Sequence, residues 1–176
     1  SSFPPIADYG FLSDCEVRLS VDYNKEKDHY RPLAGKVVYT GMMDEYFGYS
    51  LGKLEYRSLR FENEILEESN HQGVAVVNYT DSQTPFTRII EHKHFEFGTQ
   101  PRTVITREYP SDWTVGMEAY YPVNDSRNQA LMHEYQKLAS KEQDTIFCGR
   151  LAEYKYYDMD DAIAAILDRV RIEFGN

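Results

Sequence analysis

Apolar and polar positions alternate along most of the first two thirds of this chain, the pattern of half-buried β-strands. Glu16 to Asp22 sets charged residues against Val17, Leu19 and Val21 and reads as a strand, after an irregular lead-in of ten residues. The charged stretch Asn24 to Arg31 reads as a turn or connection. Lys36 to Thr40 is almost uniformly apolar and stops at Gly41, which predicts a short buried strand. Further strands are expected at Tyr56 to Ile65, Gly73 to Tyr79, Phe86 to Phe95 and Thr103 to Tyr109. Turn signals at Asn70 to Gly73, Asp81 to Pro85 and Gly98 to Pro101 separate them. Connections this short imply an antiparallel meander.

The period changes after Pro122. Asp125 or Ser126 is placed to cap a helix reaching Ser140, whose apolar side carries Leu131, Tyr135 and Leu138. A short apolar strand follows at Thr145 to Cys148, and a second helix starts near Met159. Its Ile163, Ile166, Val170 and Phe174 fall at helical spacing, which predicts one buried face. Asp158 is its natural N-cap, with Asp161 in a capping-box-like position. The class expected is α+β: a mainly antiparallel sheet over residues 15–122, then a helix, a strand and a helix of an α/β layer over residues 123–176.

Composition narrows the function. A chain of 176 residues suffices for one domain with a real core, or for one lobe of a larger enzyme. Its first residue is serine rather than methionine, which points to a longer natural protein. No apolar stretch approaches the ~20 residues that span a bilayer, and no secretory leader is visible, so a cytoplasmic location without membrane contact is expected. The net charge of −10 argues against unspecific nucleic-acid binding, although a few placed arginines still reverse the local field. Cys15 and Cys148 are too few and too scattered for a disulfide framework or a zinc site, and read as small core residues. The 15 tyrosines outnumber the 9 phenylalanines, favouring surfaces that are half apolar and half hydrogen-bonding, as sugar and nucleotide sites are.

The densest chemistry lies in Gly149 to Asp161, where a glycine turn, Arg150, Lys155 and three tyrosines lead into the last helix. A loop feeding a helix N-terminus offers free N–H groups and the positive end of a dipole to an anionic or electron-rich ligand. Arg88, between apolar neighbours on a strand, either binds a diphosphate or pairs with Glu91 or another strand's carboxylate. Arg57 faces the same alternatives. Asn78 closes an apolar run and serves a turn or a ligand hydroxyl, while Tyr120-Tyr121-Pro122 places two phenols before a rigid residue. His92 and His94 alternate on one strand face without a third ligand, so no metal is expected. No dinucleotide-binding glycine motif, P-loop or nucleophile elbow is present.

Taken in order, Val37 to Gly41, Leu54 to Phe61, Ala75 to Tyr79, Pro85 to Phe95, Tyr120 to Pro122 and Gly149 to Asp161 resemble the UDP-galactopyranose mutase family. The resemblance implies that strand and helix elements belong to a layer of the FAD/NAD(P)-binding type. It also implies a flavin-dependent isomerase that interconverts UDP-galactopyranose and UDP-galactofuranose through a flavin N5–sugar adduct, feeding surface glycans. On it, Arg88 is the catalytic arginine at the diphosphate, and Asn78, Tyr121 and Tyr156 contact substrate. Arg57, Arg150, Tyr156, Asp158 and Met159 lie near FAD, which acts reduced. The family's glycine-rich loop and helical cap would precede Glu16, so this chain is expected to be a C-terminal lobe. Alone it should hold FAD weakly or not at all, turn nothing over, and use its open edges to pair as a homodimer. Trp113 is given a structural role. A non-catalytic sugar-nucleotide module and an amine-oxidase-like flavoprotein lobe are the alternatives; the phenol and arginine clamp suits a diphosphate and is useless to an amine oxidase.

Overall fold

The computed structural model describes residues 14–175, so the lead-in lies outside the described residues. The chain divides into two compact units at Val37 and Val38. In the first, Glu16 to Asp22 does not form the expected strand. Ser20 takes φ +59°, a left-handed conformation that interrupts extended backbone, and Glu16 turns back to Arg18 at 2.6 Å. The connection after it contains one helical turn, α1 (Lys27–Tyr30), continued by a 3-10 turn at Arg31–Leu33.

The five-stranded sheet of the second unit consists of β2 (Tyr56–Leu66), β3 (Val76–Asn78), β4 (Arg88–Glu91), β5 (Thr103–Asp112) and β6 (Tyr121–Pro122). Its order is β3-β4-β5-β2-β6, and the pairs are antiparallel. Only β3, β4 and β5 form the expected meander. The long strand β2 lies between β5 and β6, zipped to β5 from Arg57↔Asp112 to Leu66↔Thr103.

The strand expected to run to Phe95 stops at Glu91, and His92–Glu96 winds into a 3-10 turn that ends at Phe97 with φ +53°. Side-chain demand explains the break. Buried Glu91 accepts the backbone N–H groups of His71 and Gln72 and the Thr103 hydroxyl, while Lys93 Nζ donates to the carbonyls of Ser69 and Gln100, both at 2.6 Å. The two histidines therefore do not share a strand face. His92 Nε2 lies 2.6 Å from Thr106 Oγ1, and His94 Nε2 lies 3.1 Å from Glu91 Oε2.

A second, two-stranded sheet pairs β1 (Val37–Tyr39) with β7 (Thr145–Phe147), beside α2 (Met43–Tyr46) and α3 (Ser126–Ala139). All of β7 is buried, but Val38 in β1 is exposed, so β1 is not the buried strand its composition predicts. The core here is aromatic: Tyr39, Tyr46 and Phe147 meet edge to face, and Phe47 stacks on Tyr135 with ring centroids 6.0 Å apart. Buried Asp44 accepts from Leu54 N at 2.9 Å and from the Tyr56 hydroxyl at 3.1 Å, and burial raises its pKa. Asp125 caps α3 by accepting from Asn128 N at 2.7 Å. The face α3 buries runs through Asn128, Met132 and Tyr135, shifted from the expected one towards a polar residue. Asn128 is inside because its Oδ1 accepts from Glu55 N at 3.1 Å.

Two expectations of burial fail. Cys148 is buried, but Cys15 is exposed. No residue of α4 (Met159–Phe174) is buried, and Ile163 and Phe174 remain 55% and 56% exposed. The helix has the predicted amphipathic spacing, yet its apolar side meets no covering layer among the described residues. Trp113 packs edge-on against Tyr56 at 5.1 Å and donates to the Met117 carbonyl at 2.9 Å.

Candidate functional site

Strand pairing places side chains from distant segments on one side of the sheet. Residues directly opposite in a register share a face. The pairs Asn78↔Arg88, Arg88↔Glu108, Phe61↔Glu108, Arg57↔Asp112 and Arg57↔Tyr121 therefore put Asn78, Arg88, Glu108, Arg57, Asp112 and Tyr121 on the same face. A cleft of about 570 Å³ opens there, lined by these six residues together with Tyr156.

Tyr156 arrives from the loop between β7 and α4. Gly149 starts that loop at φ +89°, a conformation that a side chain would strain. Tyr154 follows in the left-handed region at φ +53° and is held by its hydroxyl, which lies 2.5 Å from the Glu55 carbonyl and accepts from Val123 N at 3.2 Å. Burial pushes the Tyr154 phenol up to about 12, so it stays protonated and donating at neutral pH. These bonds fasten the loop to the start of β2 and the end of β6. The Tyr156 ring, 65% exposed, then lies parallel to Tyr121, with centroids 5.6 Å apart and an interplanar angle of 24°.

Arg150 holds this tyrosine pair from behind. Its Nη2 donates to the Tyr157 carbonyl at 2.5 Å and its Nη1 to the Tyr120 carbonyl at 3.4 Å, joining the loop to β6. The guanidinium carbon sits 5.2 Å from the Tyr121 ring centroid and 5.7 Å from that of Tyr156.

Arg88 resolves the choice of partner posed by its sequence. It pairs with Glu108 across the strands, Nε to Oε1 at 3.4 Å, and not with Glu91. That Nε is buried and makes no hydrogen bond, so the contact is one of charge rather than an aligned bond. Among the described residues nothing is hydrogen-bonded to its terminal nitrogens. Arg57 Nη1 donates to Asp112 Oδ1 at 2.8 Å in a more exposed pair. The cleft thus offers two arginines, two phenols and an amide, a donor set suited to a diphosphate and sugar hydroxyls.

Of the residues singled out by sequence, Asn78, Arg88, Arg57, Tyr121 and Tyr156 come together in this cleft. Arg150 stands behind its wall. Asp158 and Met159 do not line it; they stand exposed at the start of α4, where the Asp158 side chain makes no capping hydrogen bond. Sequence reasoning missed Glu108 and Asp112. The signal was a carboxylate within the Thr103 to Tyr109 strand, where a charge needs a cross-strand partner.

Residues 11–156 match the family model described as UDP-galactopyranose mutase. A UDP-galactopyranose mutase of Mycoplasma pneumoniae is 39% identical over 161 residues, covering 88% of this chain and 40% of that protein. A dTDP-fucopyranose mutase of Escherichia coli is 32% identical over 143 residues, 81% of this chain and 38% of its own length. The chain thus spans about 40% of the length of the curated relatives it matches. A crystal structure of reduced UDP-galactopyranose mutase superposes with a TM-score of 0.61 at 11% identity, covering 80% of this chain and 41% of that one. At that identity the likeness establishes the fold alone, an antiparallel sheet joined to strand and helix elements.

Proposed function

This chain belongs to the UDP-galactopyranose mutase family, and on that premise we propose that it forms the C-terminal lobe of a flavin-dependent mutase interconverting UDP-galactopyranose and UDP-galactofuranose. The observation that carries the reading is the single cleft shared by Arg88, Tyr121, Tyr156 and Asn78, which come from four separate elements. Sheet residues supply the floor, and the helix–strand–helix part after residue 122 supplies the wall nearest the cofactor.

Arg88 presents its two terminal nitrogens to the diphosphate and neutralises charge on the departing nucleotide. The Tyr121 and Tyr156 hydroxyls donate to phosphate oxygens, and their parallel rings fix the spacing of the two donors. Asn78 donates to or accepts from a substrate hydroxyl. Arg57 stands at the cofactor end of the cleft. The exposed start of α4 fits an electron-rich ring edge: with no side-chain cap at Asp158, its first N–H groups stay available beside Met159. Arg150 fits the cofactor side of the same wall. Reduced FAD, when bound, supplies the covalent chemistry at the anomeric carbon, and the overall reaction remains redox-neutral. The lobe alone is expected to hold FAD weakly and to be inactive. A dTDP-linked 6-deoxy sugar is the second reading, favoured by the identity to dTDP-fucopyranose mutase, because the diphosphate clamp serves either nucleotide.

The test uses the intact, flavin-loaded enzyme with UDP-galactofuranose. Turnover should appear only after dithionite reduction. Arg88→Ala should lower it about 10³-fold while flavin stays bound, the size expected for losing a charge-stabilising donor. Activity without reductant, or near-wild-type turnover in the Arg88→Ala enzyme, would refute the assignment.

A further inference from the structure

The cleft contains an arrangement that its proposed ligand would disfavour: a buried carboxylate against the cation meant for a diphosphate. Glu108 is only 9% exposed along its side chain, whereas its partner Arg88 is 38% exposed. The carboxylate is anchored from below. Thr87 Oγ1 lies 3.1 Å from Oε1 and 3.1 Å from the Glu108 carbonyl, and Thr87 N donates to that same carbonyl at 2.8 Å. The register Arg88↔Glu108 keeps the two side chains abreast. Glu108 Oε1 approaches the guanidinium at Nε, Arg88 lines the cleft, and no hydrogen bond among the described residues engages its terminal nitrogens. Arg57 and Asp112 repeat the arrangement on the same face, with both partners far more exposed. Each cleft arginine is therefore matched by a carboxylate, and the lining is formally neutral.

We propose that Glu108 is a positioning residue that counter-charges Arg88 and sets how tightly the cleft holds a nucleoside diphosphate. A bare arginine in a half-buried cleft would bind a diphosphate strongly, and a carboxylate fixed at 3.4 Å weakens that attraction by opposing it at close range. A reaction in which the nucleotide separates from the sugar and rejoins it, and in which product must then leave, is served by a grip of moderate strength. The inference rests on the proposed diphosphate role of Arg88 and adds to it the opposite sign of effect for Glu108.

The experiment titrates UDP into the intact, flavin-loaded enzyme. Glu108→Gln keeps size and removes charge, and is expected to bind UDP about tenfold more tightly, the scale of one partly screened charge. KM for the UDP-sugar should fall with it, and kcat should fall too as release slows. Damage to the fold would move UDP binding the other way. Glu108→Asp withdraws the charge from Arg88 by one methylene and should bind about threefold tighter, which gives a second reading should the glutamine variant fail to fold. Asp112→Asn, removing a solvated partner, should change UDP binding by less than about threefold. Equal or weaker UDP binding by the folded glutamine variant, or by the aspartate variant in its place, overturns the proposal. Unchanged UDP binding in Arg88→Ala would instead show that the diphosphate site itself is misplaced, whatever Glu108 does.

Discussion

Replacing Glu91 with glutamine removes a carboxylate around which one end of the sheet is built. Glu91 sits at the end of β4, closed to solvent, and takes hydrogen bonds from His71 N at 3.0 Å, Gln72 N at 2.9 Å and the Thr103 hydroxyl at 2.8 Å. Burial alone would raise its pKa. The backbone donors of Gln72 and His71, with the Thr103 hydroxyl and His94, outweigh burial and hold the group at about 2 rather than the ordinary 4.5. At 1.36 kcal/mol per pH unit that gap corresponds to at most about 3 kcal/mol, and about 1–3 kcal/mol is expected once solvent screening is allowed for. The folded pKa is depressed, so this stability is present in full above pH 4.5 and is lost as pH falls towards 2. In Glu91→Gln one amide oxygen replaces two acceptors, and an N–H₂ group opposes backbone donors. Urea denaturation at pH 7 should show a loss of about 2–3 kcal/mol, and the difference from wild type should shrink steadily below pH 4. A deficit that stays constant between pH 7 and pH 3 would refute the claim that the charge of Glu91 holds the 69–73 loop.

Two further outcomes follow from the packing. Tyr154→Phe removes a buried hydroxyl that serves the Glu55 carbonyl and Val123 N, and should cost about 1–2 kcal/mol by chemical denaturation; a neutral result would mean that the loop is not fastened through this phenol. Ile163→Ser should change stability by less than about 0.5 kcal/mol, because the side chain is 55% exposed on a helix with no buried residue, and a loss above about 1.5 kcal/mol would show that α4 packs after all.

How much of this was legible in the sequence depended on the range of the interaction. The cap of α3 was readable because Asp125 and Asn128 are three residues apart, and most of the extent of β2 and β5 was readable from alternation alone. Local pattern failed where a distant partner decides. Glu16 to Asp22 alternates as a strand does, but alternation does not supply a neighbour or prevent the turn of Ser20. His92 to Glu96 leaves the sheet because Glu91 and Lys93 engage loops some twenty residues away. The amphipathic period of α4 correctly gave a helix and wrongly gave burial, since spacing says which side is apolar and not what covers it. The place of β2 between β5 and β6 is a long-range register that no turn signal announces. In the cleft, the family resemblance located Arg88, Tyr121 and Tyr156, whereas Glu108 and Asp112 emerged only from cross-strand pairing.

The most direct check is a crystal structure of the intact enzyme with UDP bound. Both phosphate groups should lie within hydrogen-bonding distance of the Arg88 terminal nitrogens and of the Tyr121 and Tyr156 hydroxyls. A diphosphate seated elsewhere, with these three side chains left to solvent, would contradict the account.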